Sequence, residues 1–384
     1  MTQDEALHIM ESWKNFFLTG KAWTGKSYLT NIFKNNLNFK WKKVVIVAPT
    51  GIAALNVWGS TIHKTFRMFW NYPDLNVSPP MQKVLWREID CLLIDEISMV
   101  SPDFLDMIDM ILKYERRSRD PFGGLQVWLI GDPRQLPPVV ASFTDWEKQI
   151  KAELVKKYWK SLTFNKAESF KWFEMLVLSE VKRQNDDYFI SLLNSIREWD
   201  KTVLKKFNRW EGDENTIHLF HTNREADAMN SERLKLLEWD PHEYEWILEW
   251  DFNIKNAITP LSLELKIWAR IMITKNWNGL VNGDTWYVIA MKDQYIVVTI
   301  DRFGPTQFDV EEATWEQVEY KWSRKEIIWT FTQLPVKLAY AISIHKSQWL
   351  SLDNVSIAIK PYMENSMIYT ALSRAKTFDK LYIK

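Results

Sequence analysis

The chain is poor in glycine and cysteine and carries no excess of either charge. Its 384 residues include 11 glycines and a single cysteine, Cys91, inside an apolar strand pattern. One thiol excludes a disulfide framework and a zinc site built on several thiolates, and it fits a reducing compartment. Lys and Arg together number 49, as do Asp and Glu. No global positive field therefore draws in nucleic acid, and any such contact must come from a locally basic groove. Met1 to Met10 carry acidic groups without a continuous apolar stretch, and no run approaches the roughly 18 apolar residues of a membrane span. The expected location is cytoplasmic, with no membrane partner.

The glycine shortfall has a counterpart. Average usage of about 7% would give roughly 27 glycines, so about 16 are missing, while tryptophan reaches 22. Position supports the exchange: Trp23 interrupts a glycine-containing loop, Trp199 follows Ser195-Ile196-Arg197-Glu198 where a helix should stop, and Trp349 follows His345-Lys346-Ser347-Gln348. Small residues that tolerate positive φ belong at such places.

What is present is ordinary for a soluble globular protein, 46% hydrophobic and 26% charged, and long enough for two or more domains. Apolar strand patterns at Phe16–Thr19, Val44–Ala48, Cys91–Ile94, Leu125–Ile130 and Ile217–His221 alternate with helical stretches, which predicts an α/β fold with parallel sheets covered on both faces. The first four run into polar clusters, and ligand groups gather at the carboxyl ends of parallel strands. Between Phe66 and Gln82 the chain turns aromatic and proline-rich, which reads as an inserted loop or hairpin. Strand patterns dominate from Ile267 to Trp329, a small β insertion. α/β character returns at Leu338–Ile344 and Val355–Ile359.

The first cluster is Gly20-Lys21-Ala22-Trp23-Thr24-Gly25-Lys26-Ser27. This spacing forms a P-loop when it joins a strand to a helix: backbone N–H groups face phosphate oxygens, Lys26 reaches the β- and γ-phosphates and Ser27 holds Mg²⁺. ATP and Mg²⁺ are thus the expected cofactors. About 70 residues on, Leu92-Leu93-Ile94 ends in Asp95-Glu96, suited to holding the metal with Asp95 and orienting the attacking water with Glu96. Gln135, in Gly131-Asp132-Pro133-Arg134-Gln135, offers a donor and an acceptor on one amide for γ-phosphate and water. Arg183 and Arg374 each follow an apolar stretch and open a polar turn, and are candidate fingers for the γ-phosphate. His63-Lys64 and His345-Lys346-Ser347-Gln348 lack ligand spacing for a metal and suit a phosphodiester backbone held without base reading.

Together these motifs resemble the superfamily 1, group B DNA helicases, in the Pif-type (petite integration frequency) branch with its RecD-like relatives. The resemblance is carried over nearly the whole chain by Gly20–Ser27, Ala48–Ala54 with Gly59–Lys64, Asp95–Met99, Pro121–Gln126, Gly131–Pro138, Arg183-Gln184, Thr222-Asn223, Leu280–Asp284, Leu334–Val336, His345–Gln348 and Ala371–Ala375. It implies two RecA-like P-loop NTPase lobes. Lobe one, residues 1–182, would hold the P-loop and Asp95-Glu96, with a small wedge inserted at about 66–85. Lobe two, residues 183–384, would hold an SH3-like β insertion at about 288–330. It further implies ATP-driven 5′-to-3′ movement on single-stranded DNA with strand separation, forked or tailed duplex as partner, and the repair, recombination and telomere roles of such helicases. A monomeric catalytic core without appended domains is expected.

By the same resemblance Gln3 reads adenine, Thr50, Thr61, His63, His345 and Lys346 line the DNA path with Lys64 and Asn223, and Arg183 and Arg374 are the fingers. The departures fall at family glycines: Trp23, Trp58, Trp268, Trp286 and Trp349 stand there. Some bacterial lineages read UGA as glycine, and decoding such a gene with UGA as tryptophan would produce this pattern, placing the protein in a bacterial cytosol. Two alternatives to the helicase follow. One is a helicase-fold DNA-binding protein that cannot hydrolyse ATP. The other is a helicase-fold subunit of a recombination complex, disfavoured because no nuclease carboxylate cluster is evident.

Overall fold

The computed structural model describes residues 1–384 except 11, 13, 40–41, 58, 69–83, 139–144, 160, 181–185, 210–212, 214, 246, 250–261, 276–279, 281–282, 301–306, 322–323 and 349. The chain divides into two compact units, Met1–Arg183 with Gln317–Ile328, and Gln184–Glu316 with Trp329–Lys384. Among the described residues no helix is long and apolar enough to cross a membrane.

The first unit is built on six parallel strands: β1 (Phe16–Gly20), β2 (Val44–Ala48), β3 (Ser60–Thr61), β4 (Cys91–Ile94), β5 (Gln126–Ile130) and β6 (Glu174–Leu178), ordered β3-β2-β4-β5-β1-β6. Unbroken apolar runs form the central strands because both faces are covered. Alternate residues feed two separate cores. Phe17, Val45, Val47, Leu92, Ile94, Val127 and Leu129 face α5 (Pro102–Arg116), which contributes Leu105, Ile108, Ile111 and Leu112 at helical spacing. Phe16, Leu18, Ile46, Leu93, Trp128 and Ile130 pack against α1 (Gln3–Met10) and α2 (Lys26–Phe39) through Ala6, Met10, Leu29 and Phe33. Edge strand β6 has no strand pattern strong enough to read from sequence, since Met175 and Val177 on its outer face are exposed. Of the wedge expected at 66–85, residues 69–83 lie outside the described set. Its two ends are pinned by Phe66 stacked on Trp86, ring centroids 4.7 Å apart.

The second unit has its own parallel sheet of β7 (Ile217–Phe220), β18 (Ala341–Ser343), β19 (Val355–Ile357) and β20 (Leu381–Ile383), ordered β18-β7-β19-β20. Helices α7 (Asp187–Arg197), α8 (Asn223–Lys235) and α9 (Asn365–Leu372) accompany it, while α3 (Gly51–Asn56), α4 (Ile62–Thr65) and α6 (Asp145–Lys157) belong to the first unit. Thr222 and Glu225 form a capping box on α8, and the Asn230 amide bonds both backbone groups of Ala341, fixing that helix to β18.

Between β7 and β18 run the strands of the β insertion. β8 (His242–Glu245) pairs with β10 (Ser262–Leu265), and β9 (Ile247–Glu249) joins β15 (Ala313–Lys321) and β16 (Arg324–Gln333). β11 (Arg270–Ile273), β12 (Thr285–Met291), β13 (Tyr295–Ile300), β14 (Gln307–Glu311) and β17 (Val336–Leu338) make a five-stranded antiparallel sheet, ordered β14-β13-β12-β11-β17. These strands begin before residue 288 and end beyond 330. Their inward residues Ile271, Ile273, Trp286, Val288, Ile296, Val298, Val310 and Val336 are a core distinct from those of the first unit.

Of the eight non-glycine residues at positive φ among those described, four are tryptophans: Trp23 (φ 62°), Trp159 (φ 56°), Trp199 (φ 74°) and Trp268 (φ 67°). The hydrogen bonds identify the stations. Trp199 follows α7 where Glu198 N–H bonds Asn194 O and Asp200 N–H bonds Ser195 O, the left-handed position of a helix C-terminus. Trp268 is third in a turn closed by Ala269 N–H to Lys266 O, where a type II turn requires positive φ. Trp286 is different: it lies extended in β12, fully buried with its ring edge-on to Phe308, and its conformation makes no demand for glycine. Trp58 and Trp349 lie outside the described residues.

The side chains at 159, 199 and 268 are 86%, 49% and 51% exposed, so removing them forfeits little packing. The triple variant W159G/W199G/W268G is expected to gain about 1–3 kcal/mol in urea unfolding by relief of left-handed strain. W286G should lose several kcal/mol in the same assay. A triple variant no more stable than the parent would contradict the strain.

Candidate nucleotide and nucleic-acid site

The loop from Gly20 to Gly25 joins β1 to α2, so its backbone is held between a fully buried strand and the helix that covers it. Lys26 opens the helix, and its ammonium donates to the carbonyl oxygens of Gly20 (2.8 Å) and Lys21 (3.0 Å), acceptors that phosphate oxygens can replace. Thr24 is fully buried and donates to Lys21 O at 3.0 Å, closing the loop on itself. A Cβ on Gly20 would stand 2.6 Å from Thr24 Oγ1, and one on Gly25 (φ 80°) would stand 2.1 Å from Gln3 Nε2. Gln3 donates that amide to Thr24 O at 3.0 Å, so the residue assigned to adenine lies on the loop itself. Ala22 is buried, and Trp23 sits between it and Thr24, partly buried and left-handed. Ser27 is the second residue of α2, its side chain outside the described set.

Two strands from β1, β4 delivers the carboxylates. Asp95 N–H bonds Val47 O, and Asp95 Oδ1 accepts Glu96 N–H at 2.9 Å. Burial pushes the Asp95 carboxyl up to about 6, against the opposing pull of that N–H and of the Lys26 charge. The loop lysine and the strand-end carboxylate therefore share one local field. Glu96 takes the left-handed conformation (φ 51°, ψ 45°), a strained state of the kind found where geometry at a site is fixed by its surroundings. Between them in the sheet, β5 ends at Gly131. A Cβ there would meet Ile97 Cγ2 and N at 3.1 and 3.2 Å, so the turn after Glu96 packs directly on it. Gln135 follows, buried in a turn held by Gln135 N–H to Asp132 O and Arg134 N–H to Asp132 Oδ1. Lys26, Asp95 and Gln135 thus issue from the carboxyl ends of three adjacent strands.

The residues expected along DNA have their own local tasks. Thr50 Oγ1 accepts Ala53 N–H at 3.2 Å and Thr61 Oγ1 accepts Lys64 N–H at 3.4 Å, both at helix starts, leaving each hydroxyl proton to donate elsewhere. One face of His63 lies against Phe104, ring centroids 4.8 Å apart, and desolvation lowers its pKa, so the imidazole is neutral at pH 7. His345 is also held neutral, by burial and then by the His221 charge, a neighbour the sequence did not single out. Asn223, at the start of α8, accepts from Ser343 Oγ at 2.5 Å at the end of β18.

Arg183 lies outside the described residues. Arg374 is buried at the end of α9. Its Nε donates to Thr370 O (3.0 Å), its Nη2 to Ser373 Oγ (2.8 Å), and its Nη1 to the carbonyls of Gln348 and Leu350. To act as a finger it must exchange carbonyl partners for phosphate oxygens.

The sequence model of the PIF1-like helicase family matches residues 4–206. A crystal structure of Pif1 from Bacteroides sp. in complex with ADP-AlF4 is similar to this chain at TM-score 0.87 and 30% identity, covering 100% of this chain and 91% of that one. The chain belongs to the PIF1-like helicase family. The ATP-dependent DNA helicase PIF1 of Xenopus laevis is 33% identical across 99% of this chain, and the chain spans 60% of that relative's length. Bacteroides Pif1 bound to ssDNA is similar at TM-score 0.68 and 31% identity, covering 99% of this chain and 91% of that chain. The two parallel sheets and the P-loop between β1 and α2 accord with the two-lobed α/β architecture inferred from the motifs.

The raised Asp95 pKa yields a stability test. A carboxyl with a folded-state pKa above its unfolded value contributes stability that is present below about pH 4 and lost as pH rises through about 6. D95N cannot ionise and should avoid that loss. Without nucleotide or metal, D95N is expected to match the parent near pH 4 and to exceed it by on the order of 2 kcal/mol above pH 7, read by urea unfolding. A difference independent of pH would remove ionisation as its source.

Proposed function

We propose that this PIF1-like chain is an ATP-driven DNA helicase that moves 5′-to-3′ along single-stranded DNA and opens forked or tailed duplex. The supporting observation is the convergence of Lys26, Asp95 and Gln135 at neighbouring strand ends, with Gln3 bonded to the P-loop. Lys26 trades the Gly20 and Lys21 carbonyls for phosphate oxygens. Glu96 orients the attacking water and accepts its proton, and Gln135 holds the water against the γ-phosphate. The residues fit a divalent cation: Asp95 and Ser27 are hard oxygen donors of the type Mg²⁺ prefers, and a buried carboxylate costly to ionise is stabilised by a cation beside it. Mg²⁺ bound there supplies charge neutralisation at the β- and γ-phosphates. Arg183 and Arg374 are the proposed fingers for the γ-phosphate, whose charge stabilises the transferring phosphoryl group.

E96Q is expected to lower DNA-stimulated hydrolysis at least 100-fold while retaining nucleotide binding, and helicase assays should show unwinding of a 5′-tailed but not a 3′-tailed duplex. Hydrolysis surviving E96Q sinks the catalytic assignment, and preference for the 3′ tail sinks the direction.

Trp23 favours a second reading, in which the chain as written binds DNA but hydrolyses ATP poorly. An indole in the P-loop at φ 62° adds strain of order 1–3 kcal/mol and bulk beside the phosphate path. W23G is expected to raise the hydrolysis rate at least tenfold, and UGA is expected at codons 23, 199 and 268. An unchanged rate would clear Trp23, and UGG at those codons would end the decoding explanation.

A further inference from the structure

The β insertion turns one face away from its own core, and among the described residues that face carries positive charge with no ion-pair partner. β11 and β17 pair antiparallel, with Ile271 opposite Leu338, Met272 opposite Lys337 and Ile273 opposite Val336. Ile271, Ile273 and Val336 are fully buried in the core of the insertion, with Leu338 packed against it. Side chains alternate along a strand, so Met272, Lys337 and the next residue of that series, Thr274, occupy the opposite face. The ladder extends that far, since Thr274 N–H bonds Pro335 O at 2.8 Å.

Lys337 is half-buried there. Desolvation, and then the nearby Lys346 ammonium, lower its pKa to about 8. Among the described residues neither lysine makes a hydrogen bond or ion pair. Lys346 lies in the His345–Ser347 turn after β18, and its neighbour His345 feels His221 as a further base. On the same face Thr274 is 8% exposed, and its Oγ1 is buried without a hydrogen-bond partner. Buried cations and buried hydroxyls are normally paired. A half-buried ammonium beside the exposed Lys346, with an unsatisfied hydroxyl on the same face, suits one anion with several acceptor oxygens.

We propose that Lys337 is a DNA-binding residue which, with Lys346 and the Thr274 hydroxyl, holds a backbone phosphate of the single strand on lobe two. This assignment rests on the DNA-translocating reading above. A phosphodiester supplies the missing negative charge and enough acceptors for both ammonium groups and the hydroxyl, and it makes the grip independent of sequence. A nucleotide phosphate offers the same chemistry, so DNA and nucleotide must be tested separately.

The full chain, without nucleotide, is titrated into a fluorescent dT oligonucleotide at several NaCl concentrations, and separately into a fluorescent ATP analogue. K337Q is expected to weaken oligonucleotide binding about tenfold and to reduce the slope of log K against log salt by about 0.7, one phosphate contact on a single strand. K337R should keep the slope, T274V should weaken binding without changing it, and nucleotide binding should be unchanged in all three. K337M should raise the melting temperature of the free protein while losing the same slope, which separates a phosphate contact from a role in folding. A slope unchanged in K337Q and K337M, with the parent binding normally, overturns the assignment and leaves the DNA reading standing. Weakened binding of the ATP analogue would move the site to the nucleotide and overturn it also. A parent chain that binds no oligonucleotide overturns the DNA reading and this assignment together.

Discussion

The first lobe depends on one electrostatic compromise, the Lys26 ammonium set against the buried Asp95 carboxyl. Parallel strands covered on both faces can end in polar groups only where the sheet stops, which forces β1, β4 and β5 to deliver their functional residues to the same edge. Concentrating charge there is costly: burial raises Asp95 to about 6, and the Lys26 charge offsets only part of it. Lys26 in turn satisfies its ammonium on the carbonyls of its own loop. A cation beside Asp95 would stabilise its ionised form, and phosphate oxygens could take the place of the loop carbonyls on Lys26.

Backbone conformation is the second constraint, and it acts through glycine. The P-loop, the end of α7 and the turn before β11 each require a left-handed residue, and each holds tryptophan. The strain falls unevenly in consequence. At Trp159, Trp199 and Trp268 the indoles reach solvent, and the cost is conformational. At Trp23 the same cost falls on the P-loop, where a Cβ on Gly20 would crowd Thr24 Oγ1 and Leu178 O and Gly25 is itself left-handed. The cost therefore differs by place: at the exposed stations it falls on backbone conformation alone, while in the P-loop it falls on the segment proposed to bind nucleotide.

Much of this was legible in the sequence wherever a residue pattern has one physical meaning. β1, β2, β4 and β5 are continuous apolar runs, and their following motifs mark the strand ends, so the order of functional groups along the edge could be read directly. β6 could not, because an edge strand with Met175 and Val177 facing solvent gives no contrast between its faces. The extent of the antiparallel insertion was partly hidden: the strand pattern from Ile267 takes in β11, but β8 and β10 before it and the three-residue β17 after it are too short for alternation to declare itself, and only pairing identifies them. Side-chain commitments were less legible still. Arg374 stands where a finger is expected, yet its guanidinium is bound to carbonyls, and nothing in Ala371-Leu372-Ser373-Arg374 signals that. Trp286 shares the sequence context of the glycine stations, but β12 is extended there and the indole fills the core.

The residues proposed to face DNA illustrate a more general point about neutral grips. His63 and His345 are both held below their ordinary pKa by burial, so at neutral pH each presents a donor and an acceptor without a charge. Thr50 and Thr61 spend one lone pair on a helix start and keep a hydroxyl proton. Such contacts hold a phosphodiester weakly and reversibly, whereas a fully charged path would resist release at every step. On the proposed translocating function, a motor that must let go of each phosphate would be better served by neutral donors along most of its path, with formal charge confined to a few positions such as the proposed contact Lys346. The chain's equal count of acidic and basic residues is consistent with that economy, since the proposed translocation would reward many small, quickly broken contacts over a strong positive field.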